Sequence, residues 1–578
     1  MRKRNCKILG TLKASDYIAS FIRQHNVNVV FGYIGGMITH LVDSISRTSG
    51  LQFVQTYHEQ SAAFAAEGYA IENASLGVAI ATSGPGATNM ITGIADAWFG
   101  SVPVLYITGQ VNSYEYKYNK PIRQQGFQET DIVSIVKPIT KYAALIDKAE
   151  NLRYELEKAV YYAQSGRKGP VLLDICMDVQ RTDIIPDELS SYVPETKPFR
   201  RDYDANMIVR LLSKAKRPEI LLGAGAQGKK TKEMIGSFLA KTQIPAVCSL
   251  MGLGVVSADY PYYLGLLGSY GNRCANKSME NVDLLITIGS RLDTRQTGAK
   301  FESFVEHGTI IQVDIDENEL NCHRLKNRIK VNDDAKHFLE VLLDAVPTLQ
   351  NYSEWHKEVT ALKEKYSQEK EVERVVGNKA PYSLMHCLNL ISKENDIFVS
   401  DIGHNQMIAA QSLKLRRNQK FVTSGGLAPM GFSLPVSAGI AMANPNCRVI
   451  SISGDGGFHI ATQSLMLISQ YNLPVIAIIL NNESLGMITQ FQSLYFEGRM
   501  SATTSENGYC TPDFKKLAES YGLSHFKLDE SSLTNEALLR NIFSMRSCVV
   551  EFVTDGLTTI SPKLEYNKPI YRPTPDLD

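Results

Sequence analysis

Short runs of aliphatic and β-branched residues recur along the chain, with helical patterns of apolar positions between them. Such runs lie at 27–31, 76–82, 102–108 and 170–175 in the first part of the chain and at 284–288 and 397–400 further on, and they are apolar at nearly every position. Continuous apolar runs are typical of strands buried on both faces of a parallel sheet. Their alternation with helical patterns predicts an α/β fold with parallel sheets covered by helices.

The most informative unit lies in the last third of the chain. A strand predicted at 449–453 is followed by Gly454-Asp455-Gly456-Gly457 and by a helical pattern at 458–470. A second apolar run at 473–480 ends in Asn481-Asn482. In open parallel sheets, ligands bind just outside the carboxyl ends of the strands. Polar side chains stand at two such ends here, so the unit is a candidate ligand site.

The residue types at these two strand ends suit a metal-bound diphosphate. Glycines let backbone N–H groups approach an anion closely, and a helix N-terminus favours negative charge. Asp455 would repel a phosphate unless a cation lay between them, and carboxylate, amide and carbonyl oxygens are ligands that Mg²⁺ accepts. The alternative is a turn in which Asp455 caps a helix and the asparagines form a turn. The complete spacing favours the metal site.

Breaks in the pattern divide the chain into three predicted α/β domains with connecting segments. The length of 578 residues suits three or four domains of about 150 residues each. Because 352–376 is rich in charges at helical spacing, we expect a solvated helix between the second and third domains. The predicted segments are a first domain at 10–178, a linker at 179–203, a central domain at 204–346, a helical linker at 347–378, a third domain at 379–562 and an extended, proline-rich tail at 563–578.

Four other strand ends leave two interpretations open. Glu59 alone is more often an acid in a first helical turn, stabilised by the helix dipole, than a catalytic group. The glycine-rich turn at 83–89 could bind an anion or pack a helix tightly on a strand. The segment 223–228 fits GxGxxG, but the next strand carries no acid at its end that could bind a ribose hydroxyl, so a standard NAD site is not expected.

Two arginines and an acid at 290–295 could form a surface ion pair or clamp a nucleotide diphosphate.

Composition and charge narrow the class of protein. Lys+Arg and Asp+Glu both number 60, so the formal net charge is zero, which argues against nucleic acid or an anionic membrane as the main partner. The nine cysteines form no CxxC pair, as expected for reduced thiols. The basic N-terminus lacks the apolar core of a signal peptide, and no run approaches the roughly 20 apolar residues of a membrane span. We therefore expect a cytoplasmic protein.

The motifs together resemble those of the thiamine-diphosphate-dependent enzymes. The resemblance rests on HEQ at 58–60, SGPGATN at 83–89, FQET at 127–130, SGGLAPMGF at 424–432 and the GDG…NN pair. Within that superfamily, LMGLG at 250–254, LGLLGSYG at 264–271 and GSRLDTRQTG at 289–298 are similar to the catalytic subunits of acetolactate (acetohydroxyacid) synthases. The resemblance covers about residues 10–560 and implies a pyrimidine-binding first domain, an FAD-binding central domain and a third domain that binds diphosphate and Mg²⁺.

The resemblance assigns roles around the thiamine diphosphate. Glu59 would bond the pyrimidine N1′ and promote the imino tautomer, and Gln128 would lie near the reacting carbon. Asp455, Asn482 and the backbone carbonyl of Ser484 would hold Mg²⁺ on the diphosphate. The other implied contacts of this cofactor are Gly403, His404, Asn405, Met430, which would bend the cofactor, Gly454, Gly456, Gly457 and Met487.

The resemblance also implies FAD in the central domain, a substrate pocket and an oligomer. The alternative of a central domain without nucleotide is less favoured, because RLDTR is retained at 291–295. The family's active sites lie between two subunits, so we expect a homodimer or homotetramer, with a small regulatory subunit as a further candidate partner. The implied FAD contacts are Arg167, Gly223, Ala224, Gly225, Tyr270, Gly289, Ser290, Arg291, Asp293, Arg295, Asp314 and Asp334, and the implied substrate contacts are Gly36, Phe127, Arg295 and Phe491.

Three positions depart from the family pattern. Ile34 replaces a proline, Ala428-Pro429 replaces Gly-Ala or Gly-Thr, and Phe491 replaces a tryptophan that shapes the acceptor pocket. The resemblance predicts decarboxylation of pyruvate and transfer of the two-carbon unit to a second carbonyl, first of all pyruvate, giving 2-acetolactate for branched-chain amino acids. The alternatives are a keto-sugar nucleotide as acceptor in surface-polysaccharide synthesis, simple 2-keto acid decarboxylation, and a non-catalytic paralogue. Intact Glu59, Asp455 and Asn482 argue against the last.

Overall fold

The computed structural model describes residues 10–195, 203–346, 351–554 and 556–577. Three six-stranded parallel sheets follow one another along the chain and carry helices on their faces. The predicted class, α/β with parallel sheets covered by helices, is therefore confirmed. No helix in the described ranges is long and apolar enough to span a membrane.

The first domain contains eight strands, in two sheets. They are β1 (Leu12–Lys13), β2 (Val29–Tyr33), β3 (Gln52–Gln55), β4 (Gly77–Ala81), β5 (Val104–Gln110), β6 (Tyr142–Ile146), β7 (Val171–Cys176) and β8 (Asp183–Ile184). Strands β2 to β7 form the first six-stranded sheet, in which β2, β4, β5 and β7 follow the predicted apolar runs to within a few residues, and β1 pairs with β8 as a separate antiparallel sheet. The helices are α1 (Ala14–Gln24), α2 (Thr39–Arg47), α3 (Glu59–Asn73), α4 (Pro85–Asn89), α5 (Ile91–Gly100), α6 (Ile132–Val136), α7 (Leu152–Gln164) and α8 (Met177–Arg181).

The second sheet belongs to the central part of the chain. Its strand at 284–288 has the predicted bounds. The strands are β9 (Pro218–Leu222), β10 (Ala246–Cys248), β11 (Tyr263–Leu266), β12 (Leu284–Ile288), β13 (Thr309–Asp314) and β14 (Arg328–Asn332). The helices are α9 (Ala205–Lys214), α10 (Lys229–Thr242), α11 (Arg273–Ser278), α12 (Thr294–Thr297), α13 (Glu317–Asn321) and α14 (Ala335–Ala345).

The third sheet follows two connecting helices, α15 (Ser353–Lys365) and α16 (Gln368–Glu373). Its strands are β15 (Ile397–Ser400), β16 (Lys420–Val422), β17 (Val449–Gly454), β18 (Val475–Asn481), β19 (His525–Leu528) and β20 (Cys548–Val553). Its helices are α17 (Ala380–Ile391), α18 (His404–Ser412), α19 (Ser433–Ala443), α20 (Asp455–Ile460), α21 (Ser464–Gln470), α22 (Gly486–Tyr495), α23 (Phe514–Ser520) and α24 (Glu536–Ile542).

The strand order of each sheet shows where a ligand-binding crevice is expected. The first sheet runs β3-β2-β4-β5-β7-β6 and the third runs β16-β15-β17-β18-β20-β19, so the two share one topology. The central sheet runs β11-β10-β9-β12-β13-β14, the order of dinucleotide-binding sheets. The order reverses between β2 and β4, between β9 and β12, and between β15 and β17. Open parallel sheets bind ligands at these switch points.

The first and third domains share one hydrophobic core through α3 and α19. The two helices touch backbone to backbone, because a Cβ on Gly68 would lie 2.3 Å from the Val436 oxygen and one on Gly439 would lie 1.9 Å from the Ala65 oxygen. Phe64 packs edge-on against Phe432, with ring centroids 5.6 Å apart. The small residues of α3 therefore serve a tight helix contact.

Two helical predictions were wrong. The helix expected at 458–470 is two helices, α20 beginning at Asp455 and α21 beginning at Ser464. The break lies where Gln463 bonds Ser61 across the domain contact, a tertiary interaction that periodicity does not carry. The helix expected to be solvated, α15, buries Trp355 and Val359 in the core of the central domain, and the Trp355 indole N–H donates to the Pro218 carbonyl at 3.1 Å.

Both the segment after the first domain and the C-terminal tail are held against folded domains of the chain. The segment predicted as a linker at 179–203 contributes β8, which pairs with β1. The tail packs on the central domain, where the fully buried Arg273 pairs with Glu371 at 2.9 Å and donates to the carbonyls of Pro573 and Pro575.

Glu219 in β9 makes stability depend on pH. Its side chain is fully buried, one oxygen accepts from Ser278 at 3.1 Å and the other has no described partner, and burial raises its pKa from 4.5 to about 8. This group therefore leaves the free energy of unfolding unchanged at pH values below its unfolded pKa, and it lowers that free energy progressively as pH rises from about 4.5 towards about 8.

Glu219→Gln should thus have a higher free energy of unfolding than the wild type at pH 8, by up to a few kcal/mol, and nearly the same value at pH 5. Thermal unfolding at both pH values checks this, with exposed Glu280→Gln as the control. An equal difference in unfolding temperature between variant and wild type at pH 5 and at pH 8 would contradict the prediction.

Candidate active site

The switch point of the third sheet brings two predicted cofactor loops together. Strand β15 leads through Gly403, whose φ of +129° suits glycine, into His404 at the start of α18. Strand β17 leads through Gly454 into Asp455 at the start of α20. The Asn405 amide nitrogen donates to the Asp401 carbonyl at 2.6 Å, and its amide oxygen lies towards Gly454. Two helix N-termini therefore border one crevice, an arrangement that favours an anion.

Asp455 is a buried carboxylate without a positive partner. It is 2% exposed and accepts from the Gly456 N–H at 2.7 Å, the Asn482 N–H at 3.2 Å and the Tyr509 hydroxyl at 2.7 Å. Within the described ranges, no lysine, arginine or histidine forms an ion pair with it. Burial raises the pKa of the Asp455 carboxyl, and the Tyr509 hydrogen bond opposes that rise. A bound cation would supply the missing charge.

The two asparagines after β18 have different surroundings. The Asn481 amide donates to Glu551 at 2.9 Å and its oxygen accepts from the Glu483 N–H, so it is occupied within the domain. Asn482 lies against Asp455, and the Ser484 carbonyl is two residues further on. The described chain holds no group of three or more His, Cys, Asp or Glu fit for a metal. One carboxylate with amide and carbonyl oxygens is a partial set, which suits Mg²⁺ when phosphate oxygens complete the shell.

Asp401 organises the loop that carries Met430. Its buried carboxylate accepts from the N–H groups of Gly431 at 3.0 Å and Ser433 at 2.8 Å. Gly457 is packed beneath it, since a Cβ there would lie 2.5 Å from Asp401 Oδ1. Gly457 therefore serves this packing. Sequence reasoning did not select Asp401, although an acid directly after a predicted strand was a usable signal.

Two further contacts frame the same crevice. A Cβ on Gly456 would lie 3.2 Å from the Met430 methyl and 3.0 Å from the Tyr509 oxygen. Tyr509 was also missed, and its irregular surroundings offer no periodicity or motif from which to find it. Met430 and the Asp455 loop are thus neighbours, as the resemblance implies.

The His404 ring has one buried nitrogen without a partner among the described residues. Its Nε2 lies 2.9 Å from the Gln490 side-chain oxygen, while its Nδ1 is buried without a partner among the described residues. Burial lowers the pKa of His404 to about 4, so the ring is neutral at pH 7. A Cβ on Gly486 would lie 2.7 Å from Nδ1, which shows how closely the next loop approaches.

Glu59 lies in the first domain as the first residue of α3. It is 7% exposed, and Asn89 donates to its Oε2 at 2.9 Å. Its Oε1 lies over Gly86, where a Cβ would be 3.2 Å away. The 83–89 turn therefore holds Glu59 by two of its residues, and Asn89 is a supporting residue that the sequence did not single out.

Gln128 is placed beside the same turn. It has a φ of +63°, and its carbonyl oxygen lies 3.0 Å from where a Cβ on Gly84 would be. The buried Glu129 carboxylate fixes the loop by accepting the N–H groups of Lys117, Gln125 and Gly126 at 2.8–3.0 Å. Glu59 and Gln128 thus lie beside one turn of the first domain. We call this group one half-site and the group formed by His404, Asp455 and Asn482 of the third domain the other.

The two half-sites of one chain are not joined. Among the residues that the structure describes, no hydrogen bond links Glu59 or Gln128 to Asp455, Asn482 or His404. The predicted substrate contacts are on open surfaces: Phe127 is 80% exposed, Phe491 is 52% exposed, and Gly36 has open space where a Cβ would be. Within one chain, these two groups of residues therefore have no direct hydrogen-bond contact among the described residues, and the predicted substrate contacts are exposed.

A cavity of about 790 Å³ lies at the switch point of the central sheet. All of the predicted FAD contacts line it except Gly223. Gly223 instead packs against the opposite loop, since its Cβ would lie 2.3 Å from the Gly289 oxygen. Because residues of all three domains line the cavity, it extends from the central sheet to the loop at 424–428.

Charged and aromatic groups shape the cavity wall. Arg167 comes from the first domain and pairs with Asp316 and Glu319 at 3.1 and 2.7 Å. The Arg295 guanidinium lies 5.6 Å from the Tyr270 ring centroid, and the Tyr270 hydroxyl lies 3.9 Å from the Met487 sulfur. The cavity wall therefore touches the helix that follows the Asp455 crevice.

The three domains match the thiamine pyrophosphate enzyme family, thiamine pyrophosphate being another name for thiamine diphosphate. The N-terminal thiamine pyrophosphate binding domain matches 12–135, the central domain 205–342 and the C-terminal binding domain 401–552. The chain is thus a thiamine-diphosphate-dependent enzyme of α/β architecture, as predicted.

Curated relatives narrow the family. The chain is 37% identical over 520 residues to acetolactate synthase isozyme 2 large subunit of Escherichia coli (strain K12), covering 89% of this chain and 90% of that protein. It is 34% identical over 529 residues to acetolactate synthase large subunit of Lactococcus lactis, covering 91% and 90%. It is 35% identical over 559 residues to a probable acetolactate synthase large subunit of Methanocaldococcus jannaschii, covering 94% and 92%. The chain belongs to the acetolactate synthase large-subunit family.

Gly457→Ala should destabilise the third domain. The added methyl would lie 2.5 Å from Asp401 Oδ1, so Asp401 would have to move and release Gly431 and Ser433, at a cost of about 1–3 kcal/mol. We expect a lower unfolding temperature and weaker binding of thiamine diphosphate by calorimetry. Gly236→Ala in α10 is the control, because its methyl would meet nothing within 4 Å. Unfolding of Gly457→Ala at the wild-type temperature would show that the contact is unimportant.

Proposed function

We propose that this chain is the catalytic subunit of a Mg²⁺-dependent carboligase that decarboxylates pyruvate and transfers the two-carbon unit to a second pyruvate, giving 2-acetolactate. The observation that supports this most is the buried Asp455 carboxylate, which lacks a positive partner at the switch point where a diphosphate would bind. Curated relatives over most of the chain are named acetolactate synthase large subunits, and Glu59, Asp455 and Asn482 are all present.

The cofactor-facing residues fit thiamine diphosphate with Mg²⁺. Asp455, Asn482 and the Ser484 carbonyl would hold the ion, and the N-terminus of α18, which begins at His404, would face the diphosphate. When bound, thiamine diphosphate supplies the electron sink that decarboxylation requires. Glu59 would hold a proton at the pyrimidine N1′, with Asn89 fixing the orientation of its carboxyl group. Gln128 would orient the reacting carbonyl.

The central cavity fits FAD. Its volume is within the usual range of roughly 300–1,000 Å³ for ligand sites, and two glycine-containing loops border it at a switch point of dinucleotide-binding topology. Arg291 would face the diphosphate, since a planar guanidinium suits such groups. Arg295 would lie where the acceptor carboxylate approaches.

A keto-sugar nucleotide is the second candidate acceptor. The observation that favours it is the aromatic surface around Phe491, whose ring lies 4.6 Å from Tyr495 and 6.0 Å from Phe496. An exposed aromatic surface suits a flat base or a sugar face better than it suits a second small keto acid.

The separated half-sites favour a homodimer or a larger even oligomer. Glu59 and Gln128 of one copy would complete the Asp455 crevice of another, and the same contact would cover Phe127. We expect the purified chain to sediment as a dimer or tetramer, and a monomer at micromolar concentration that retains full activity would contradict this.

The reaction is tested by incubating the purified protein with pyruvate, thiamine diphosphate, Mg²⁺ and FAD and following the products by NMR. We expect pyruvate to be consumed and 2-acetolactate to form. Acetaldehyde without a carbon–carbon bond product would indicate a decarboxylase. Suppression of 2-acetolactate by an added keto-sugar nucleotide, with a branched sugar formed, would favour the second candidate. Unchanged pyruvate would contradict both carboligase assignments.

Glu59→Gln should lower turnover without removing the cofactor. An amide cannot exchange a proton with N1′ as a carboxyl can, and such groups contribute about 10²–10⁴-fold to rates. We expect a loss of kcat in that range, with thiamine diphosphate binding retained by calorimetry. Glu150→Gln, exposed in the same domain, is the control. Wild-type turnover in Glu59→Gln would exclude the proposed role.

A further inference from the structure

A short irregular segment between α22 and α23, residues 503–509, contacts two of the three residues predicted to hold Mg²⁺. The Tyr509 hydroxyl donates to Asp455 Oδ1 at 2.7 Å. At the other end of the segment, the Leu485 N–H donates to the Thr503 carbonyl at 3.0 Å, and Ser484 forms an antiparallel bridge with Thr504. The segment therefore spans the crevice from the Asp455 loop to the Ser484 loop.

The hydrogen bonds distinguish the two oxygens of Asp455. Oδ1 accepts two bonds of 2.7 Å, one from the Gly456 N–H and one from Tyr509. Oδ2 accepts a longer bond, from the Asn482 N–H at 3.2 Å, and the backbone N–H of Ser484 also interacts with the carboxylate. A carboxylate oxygen has two acceptor positions, so Oδ1 is filled by its two short bonds. Oδ2 is the more weakly bonded oxygen of the two and the one available to a cation.

The hydrogen bond of the Tyr509 hydroxyl, more than burial of the ring, holds this residue in position. Its side chain is half-buried, its neighbours Gly508 and Cys510 are exposed, and Thr503 is the buried residue of the segment. Gly456 leaves room for the hydroxyl, because a Cβ there would lie 3.0 Å from the Tyr509 oxygen. The polar contact, rather than packing of the ring, therefore explains the position of Tyr509.

We propose that Tyr509 is a positioning residue for the metal, which holds Asp455 by Oδ1 so that Oδ2 faces the cation, and that residues 503–509 act as a brace across the site. The inference rests on the proposed Mg²⁺ site and extends it to a residue outside the motifs. Hydrogen-bond partners of metal ligands orient those ligands, and their loss typically weakens metal binding 10–100-fold.

The brace and the metal must stabilise each other. If the segment favours Mg²⁺ binding, Mg²⁺ binding favours the bound form of the segment by the same factor, because coupling free energies are reciprocal. Chain cleavage near the brace should therefore depend on Mg²⁺. Arg499 is a suitable site for trypsin, since its side chain is 68% exposed.

The affinity test uses Tyr509→Phe, which removes only the hydroxyl. Protein stripped with EDTA is saturated with thiamine diphosphate and titrated with Mg²⁺ in a calorimeter. We expect a 10–100-fold higher dissociation constant for Mg²⁺ in the variant, with an unchanged unfolding temperature. Tyr566→Phe is the control, because that side chain is 85% exposed. A dissociation constant within twofold of wild type would overturn the assignment. If wild-type protein itself bound neither Mg²⁺ nor thiamine diphosphate, the proposed function would fail as well.

The second readout is limited trypsin digestion, with cleavage after Arg499 followed by mass spectrometry. Mg²⁺ with thiamine diphosphate should slow this cleavage in the wild type and slow it less in Tyr509→Phe at the same Mg²⁺ concentration. Equal protection of both proteins would contradict the proposed role of residues 503–509 as a brace.

Discussion

The contact between α3 and α19 is the constraint on which the arrangement of the site depends. Glycines at 68 and 439 allow the two helix backbones to touch, and the first and third domains share one core around them. Because of this contact, the side of α3 behind Glu59 is buried against the third domain of its own chain. The Glu59 carboxyl remains with Gly86 and Asn89. The contact therefore fixes the position of Glu59 relative to the third domain of the same chain.

A buried acid pair links the same interface to the crevice loops. Ser424 donates to Asp96 at 2.5 Å and accepts from the Ala428 N–H. Burial raises the pKa of Asp96 to about 6 and also raises the pKa of neighbouring Glu67. Asp401 is also buried, and three backbone N–H groups donate to its carboxylate. Asp455 differs from these acids because Asn482, whose amide oxygen is a ligand that Mg²⁺ accepts, lies beside it. That difference distinguishes an acid that supports the fold from one that is available to a ligand.

Local sequence determined what could be predicted. Strands at 284–288 and 397–400 have the expected bounds because continuous apolar runs and their polar ends are local signals. The GDG…NN spacing located Asp455 and Asn482 because two neighbouring strands end at one edge of a sheet. The helix break near Gln463, the burial of Trp355 and the contacts of Asn89 and Tyr509 come from partners distant in sequence, for which periodicity carries no signal. Gly223 fits a nucleotide motif, yet its lack of a Cβ serves the contact with Gly289.

Mixing two inactive variants tests most directly whether one site is built from two copies. Glu59→Gln and Asp455→Asn each remove one half-site, and they are combined in equal amounts, dissociated and reassembled. If each site joins the first domain of one copy to the third domain of another, mixed dimers hold one intact site, and about a quarter of wild-type activity should return. If each chain forms its own site, every site remains defective and no activity returns, which would contradict the account.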